Sequence, residues 1–191
     1  VSFWRDDVPV RAETVSVRFD EGQPVALNGR TFASAVALFD EANRIFLATR
    51  TLLAVDRDEN RVILADTGCG TKWSKEHAAR YAIVHDREAI PNALAAIGLS
   101  IDDVTDIVVT HLHFDHNGGL TEWFDDPGGP TILRFPKARH WIHKNQWDHA
   151  HHPNYKDRAS YLKEDFDGLE SGGVLRFVEG DQPGTTWPGV E

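Results

Sequence analysis

The chain has 191 residues, 41% hydrophobic and 26% charged, with 20 Lys+Arg against 30 Asp+Glu for a formal net charge of −10. Those proportions belong to a folded domain and exclude a disordered, collagenous or low-complexity polymer. A chain this acidic, without a run of Lys or Arg, repels phosphate backbones and anionic lipid surfaces, so neither nucleic acid nor a membrane is an expected partner.

The lone Cys69 makes no internal disulfide, which fits a reducing compartment and a cytoplasmic expectation. Apolar runs such as Ile45–Ala48 and Ile107–Val109 fall far short of the roughly 20 residues that span a bilayer. There is no methionine, even at position 1, which points to a processed or trimmed start. A single domain over residues 1–191 is expected.

In chain order, Val15, Val17 and Phe19 alternate as in a strand, and turn signals follow at Gly22–Pro24 and Asn28–Gly29. Two apolar runs, Ile45–Val55 and Val62–Ala65, flank the polar stretch Asp56–Asn60 and predict a β-hairpin. Its second strand ends at Asp66-Thr67-Gly68, where glycines on both sides of Cys69 permit a sharp bend. Ile90, Ala93, Leu94 and Ile97 have the spacing of an amphipathic helix between Glu88 and Gly98, with Pro91 in its first turn. Ser100, three residues before Asp103, suits an N-cap, and Ile107–Val109 read as a buried strand. Thr131–Phe135, Arg139–Ile142 and Val174–Val178 predict further strands, and Lys144–His151 and Asp157–Asp165 predict polar-faced helices. The mixture is α/β.

The segment that carries chemistry is Thr110–Gly119, THLHFDHNGG, directly after the buried strand. His111 and His113 alternate, so an extended strand end points both imidazoles to one side, and Asp115 and His116 continue into a turn. Four potential ligands within six residues suit zinc and other first-row divalent ions, and two close pairs suggest two metals. Asn117, Gly118 and Gly119 remove bulk beside them. The competing reading is a solvated loop with a chance cluster of histidines. Placement at the carboxyl end of an apolar strand, where sites of open α/β sheets gather, argues against it.

Thr110–His116, preceded by Asp66-Thr67-Gly68, resembles the Thr-His-x-His-x-Asp-His and Asp-Thr-Gly motifs of metallo-β-lactamase fold hydrolases residue for residue. Asn43-Arg44, Leu52-Leu53, Gly70–Trp73, Phe135-Pro136 and Gly180-Asp181 are similar to a branch containing lactonases and organophosphate hydrolases. The resemblance spans most of positions 30–185 and implies an αββα sandwich with a dinuclear centre at one edge. By carry-over, His111 and His113 would hold one ion and Asp115 and His116 a second, with Asp66 orienting ligands by hydrogen bonds. The two divalent ions would be zinc by preference, with manganese, iron or cobalt as substitutes. A hydroxide between them would attack a small-molecule ester or lactone, or a phosphotriester, thioester or β-lactam, with Asp115 as the catalytic residue. The family draws three further ligands, two histidines and a bridging aspartate, from its second half. No histidine follows His152, so the chain is expected to be the first half to two-thirds of that domain.

His140, His143, His149, His151 and His152 fall too early to replace those ligands, and the last three are expected to be solvated at a helix end. Trp73, Trp123, Trp141 and Trp147 are candidate pocket walls or core, and Cys69 is a packing residue. The alternative to a hydrolase is a non-catalytic fragment or degenerate member with an incomplete metal site.

Overall fold

The computed structural model describes residues 25–27, 30–32, 49–84 and 87–180, in two units that divide between Ala48 and Thr49. In the first unit, strands β1 (Val25–Leu27) and β2 (Arg30–Phe32) form an antiparallel hairpin in which Leu27 pairs with Arg30. The Asn28–Gly29 turn signal lies between them. The expected strand over Val15–Phe19 lies outside the described residues.

The second unit opens with the expected hairpin. Strands β3 (Leu52–Asp56) and β4 (Arg61–Ala65) pair antiparallel, Leu53 opposite Leu64. Asp56 Oδ1 accepts from the amides of Asp58 and Glu59 at 3.0 and 3.1 Å, and Asn60 takes the left-handed conformation (φ 51°) that turns the chain back. Helix α1 (Lys75–Tyr81) follows, its first turn capped by Ser74 Oγ accepting from His77 N at 3.1 Å. Helix α2 (Ala89–Ala95) buries Leu94 completely and ends short of the predicted Gly98. Ser100 and Asp103 then bond each other across a single 3-10 turn, as their spacing predicts.

Strand β5 (Asp106–Val109) leads to the one-turn helix α3 (Phe114–Asn117). A short hairpin of β6 (Thr121–Trp123) and β7 (Thr131–Leu133) precedes strand β8 (Arg139–His143). Helix α4 (Lys144–His151) agrees with its predicted bounds, α5 (Gly168–Ser171) is one turn, and β9 (Leu175–Val178) closes the sheet. Residues 157–165 do not form the predicted helix. They make two 3-10 turns, Arg158–Ser160 and Lys163–Asp165, interrupted by extended backbone at Tyr161 and Leu162.

The five-stranded sheet has the order β3-β4-β5-β8-β9, antiparallel at the hairpin and parallel from β4 onward. Each parallel strand joins on the same side as its predecessor, so right-handed crossovers place the connecting helices on one face. On that face Leu53, Leu64, Ile107 and His140 lie in register, as do Val55 with Val62 and Val109 with Ile142. Leu94, Phe135, Trp147, Phe166 and Leu169 complete this core. At the strands' N-terminal edge the buried Asp106 accepts from Trp141 Nε1 (2.8 Å), Thr105 Oγ1 (2.8 Å) and Arg139 Nε (2.8 Å). Burial alone would raise that carboxyl; the bonds from Trp141, Thr105 and Arg139 outweigh it and hold it below the usual range. At the opposite edge β4 and β5 end side by side, Ala65 beside Val108, which brings Asp66 against Thr110.

Candidate metal centre

Beyond β5 the backbone stays extended for one more alternation. Leu112 is wholly buried in the core, and His111 and His113 turn to the other side. His113 is then the N-cap residue of α3, its carbonyl accepting from His116 N at 2.9 Å and Asn117 N at 3.1 Å. That single turn brings Asp115 back toward the imidazoles. One ligand atom each from His111, His113 and Asp115 lies within 4.8 Å of the others, the one such group among the described residues.

The ring of His116 lies 3.9 Å, centroid to centroid, from His111, and its Nε2 is 3.6 Å from Asp115 Oδ2. Its other nitrogen, Nδ1, is 2.8 Å from Asp66 Oδ2. An Nδ1–H donated to an ionised Asp66 leaves the Nε2 lone pair facing Asp115. Asp66 does more than orient that ring. It accepts from Thr110 N at 2.9 Å and from Thr110 Oγ1 at 2.8 and 3.0 Å, in left-handed backbone (φ 58°) at 8% exposure.

The rest of the loop is fixed by contacts that no local pattern announces. Gln146, on α4, accepts from Leu112 N at 3.0 Å and from the Tyr161 hydroxyl at 3.4 Å, and the Tyr161 ring stands edge-on to His113 with centroids 4.7 Å apart. Thr67 N donates to the His116 carbonyl at 2.7 Å, and Gly119 N to the Gly68 carbonyl at 3.2 Å. Glycine is required where these loops cross. A Cβ on Gly70 would stand 1.9 Å from the Gly118 carbonyl oxygen, and one on Gly118 would stand 2.2 Å from that of Cys69. Sequence reasoning missed Gln146, Tyr161 and Lys72, which lie 34 to 49 positions from the residues they hold.

The donor set fits a divalent first-row ion, combining imidazole nitrogen with carboxylate oxygen in a compact cluster. Burial, then the neighbouring His116 and His113, lower the pKa of His111, keeping its ring neutral as a ligand must be. Burial, with Asp115 and Asp165 nearby, pushes the Cys69 thiol up to about 11, which leaves it protonated and unsuited to nucleophilic attack.

The later histidines are occupied elsewhere. His140 is buried in β8 with Nδ1 on the Ala138 carbonyl at 3.0 Å. His143 caps α4 by accepting from Asn145 N at 3.2 Å. His149 and His151 are half-buried, in place of the expected solvation, and pair with Asp157 at 2.8 Å and Asp167 at 3.3 Å. His152 is exposed, as expected. Trp141 and Trp147 are core; Trp73 packs edge-on to Phe114 of the loop at 4.9 Å.

The family model of the metallo-beta-lactamase superfamily matches residues 48–188. The chain belongs to the metallo-beta-lactamase superfamily. Among solved structures, a probable metal-dependent hydrolase from Staphylococcus aureus is similar at 25% identity and a TM-score of 0.62, covering 74% of this chain and 47% of that one. A dizinc quorum-quenching lactonase in complex with a product matches at 22% identity and TM-score 0.48, covering 70% and 44%. An N-acyl homoserine lactone lactonase matches at 24% and 0.45, covering 70% and 45%. The chain spans about half the length of these solved relatives. Superfamily membership establishes the mixed α/β fold and a relationship to metal-dependent hydrolases. No helix among the described residues is long and apolar enough to cross a membrane.

Proposed function

We propose that this chain carries the metal-ligand loop of a metal-dependent hydrolase for carboxylic esters or lactones. The observation that carries the proposal is the convergence of His111, His113 and Asp115 ligand atoms within 4.8 Å, with His116 fixed against them by Asp66. His111 and His113 are assigned to one divalent ion, and Asp115 and His116 to a second. Zinc is the preferred metal. Ions bound there would acidify a water toward neutral pH and polarise the substrate carbonyl.

The chain's own residues prepare that site. Asp66 holds the proton on His116 Nδ1 so that Nε2 is free, and its bonds to Thr110 fix the start of the loop. Gln146 anchors Leu112 and thereby the spacing of the two flanking imidazoles. Asp115 is the carboxylate aimed at the centre, and we assign it the catalytic role. The preference for esters and lactones rests on the similarity of segments such as Gly70–Trp73 to the lactonase branch.

The test is a panel of lactones, aryl esters, thioesters, β-lactams and phosphotriesters on metal-reconstituted protein, with Asp115→Ala as control. Activity should vanish with a chelator and return with zinc, manganese or cobalt. Cleavage of phosphotriesters alone would remove the ester preference and keep the hydrolase; no cleavage above the variant's background would leave a non-catalytic metal-binding chain. That second reading has its own support, because no further His, Cys, Asp or Glu among the described residues joins the three-residue group. Dinuclear sites give each ion about four or five donors with water included.

A further inference from the structure

Behind the metal loop lies a buried ion pair that the hydrolytic reading does not use. Lys72, 9% exposed, sits four residues past Gly68, and its ammonium has three protons and three partners. Nζ donates to the Gly118 carbonyl at 2.7 Å, to the Thr121 carbonyl at 2.8 Å and to Asp165 Oδ1 at 2.9 Å. Gly118 is the residue that ends α3, two positions after His116, and Thr121 opens β6. Asp165 is 2% exposed and comes from the second 3-10 turn, in a different part of the chain.

We propose that Lys72 is a positioning residue for the metal centre: by holding the carbonyls that follow α3 it fixes the trailing end of the ligand loop and thereby sets metal affinity. This rests on the assignment of His111, His113, Asp115 and His116 as ligands. The leading end of the loop is fixed by Asp66 on Thr110, and the middle by Gln146 on Leu112. Lys72 supplies the third point, beyond His116. The ion pair by itself does not account for a charge at this place, because well-packed apolar residues often replace a buried ion pair at little or no cost. An apolar pair has no donor for the Gly118 and Thr121 carbonyls, and those bonds reach the loop directly. Asp165 has the complementary part of neutralising the ammonium where water does not.

The separation of these two roles gives the experiment. Zinc affinity is measured by competition with a chromophoric chelator, cobalt coordination by visible absorption, and stability of the metal-free protein by urea unfolding. Lys72→Met should lower both stability and affinity, because it strands Asp165 without a counter-charge. In Lys72→Met with Asp165→Leu the part of the stability lost by stranding Asp165 should return, although the Gly118 and Thr121 carbonyls still lack their donor, while zinc affinity stays about 10- to 100-fold lower, the range seen when outer-shell partners are removed. Its cobalt spectrum should differ from the parent's. Recovery of affinity together with stability in the double variant would overturn the proposal, as would an unchanged affinity in Lys72→Met. If the double variant does not fold, Asp165→Asn decides. It keeps the Lys72 bonds to both carbonyls, so it should lose stability with affinity within about threefold of the parent, below the outer-shell range; an affinity loss equal to that of Lys72→Met would overturn the proposal. His113→Ala is measured alongside, and an unchanged zinc affinity in that variant would show that the ligand assignment had failed, whatever Lys72 does.

Discussion

Asp66 combines a left-handed backbone with three hydrogen-bonding duties, and these respond differently to substitution. Asn tolerates that backbone and still accepts from Thr110, but it carries no charge for the His116 ring. Asp66→Asn should therefore cost about 10- to 100-fold in metal affinity with little change in melting, read by chelator competition and thermal unfolding. Asp66→Ala also loses the Thr110 bonds and sets a Cβ-bearing residue without side-chain support at φ 58°, and should destabilise by about 3 kcal/mol. His140 makes a separate prediction. Burial pulls its pKa from 6.5 down to about 4. The unfolded chain thus binds a proton that the folded chain refuses between those values, so stability is present above about pH 6.5 and is lost as pH falls toward 4. The shift corresponds to a loss on the order of 3 kcal/mol. His140→Leu should flatten that part of a urea-midpoint profile against pH, and an unchanged slope would show that His140 is not its source.

At the scale of elements, the crossing of the 67–70 and 117–119 segments is the most restrictive contact near the site. Gly118→Ala places a methyl 2.2 Å from a backbone oxygen that has no rotamer to change, so the two loops must separate. The variant should unfold at lower temperature and bind metal more weakly, both by more than a Gly→Ala change in open space at Gly98, where nothing lies within 4 Å. Gly98 carries a left-handed strain (φ 78°) that Gly118 (φ −56°) does not, so the excess cost at Gly118 is a lower bound on the cost of the crossing. The β3–β4 hairpin, strands β5, β7, β8 and β9, and helices α2 and α4 were legible from apolar runs between turn signals and, for α2, from a 3.6-residue spacing, whereas β6 and α1 carry no such pattern and were not anticipated. Residues 157–165 were not, since Tyr161 is drawn to His113 and Gln146 and Asp165 to Lys72, tertiary contacts that break the local helical preference into two turns. The one-turn helices α3 and α5 are too short to generate a period at all. In the centre, the motif gave the ligand candidates and Asp66, because they are adjacent in sequence or in a known pairing. Lys72, Gln146 and Tyr161 act through folded geometry and leave no spacing to read.

For the whole molecule, the proposed function requires that a chelator remove hydrolysis and that zinc, manganese or cobalt restore it. The sheet has two differently anchored edges: Asp66 and the ligand loop at the carboxyl ends of β4 and β5, and the Asp106 network with Trp141, Thr105 and Arg139 at the amino ends. Asp106→Ala would take the buried acceptor from Trp141 Nε1 and from the half-exposed Arg139 guanidinium, and should cost about 1 to 3 kcal/mol in urea unfolding with zinc affinity unchanged. Strand β5 has four residues, so about 13 Å of backbone lies between the two anchors. Effects at such a separation sum independently. Laboratory evolution of this protein therefore has a reserve to draw on: substitutions that strengthen the Asp106 end would let the ligand loop accept activity-altering changes that an unreinforced scaffold would not survive.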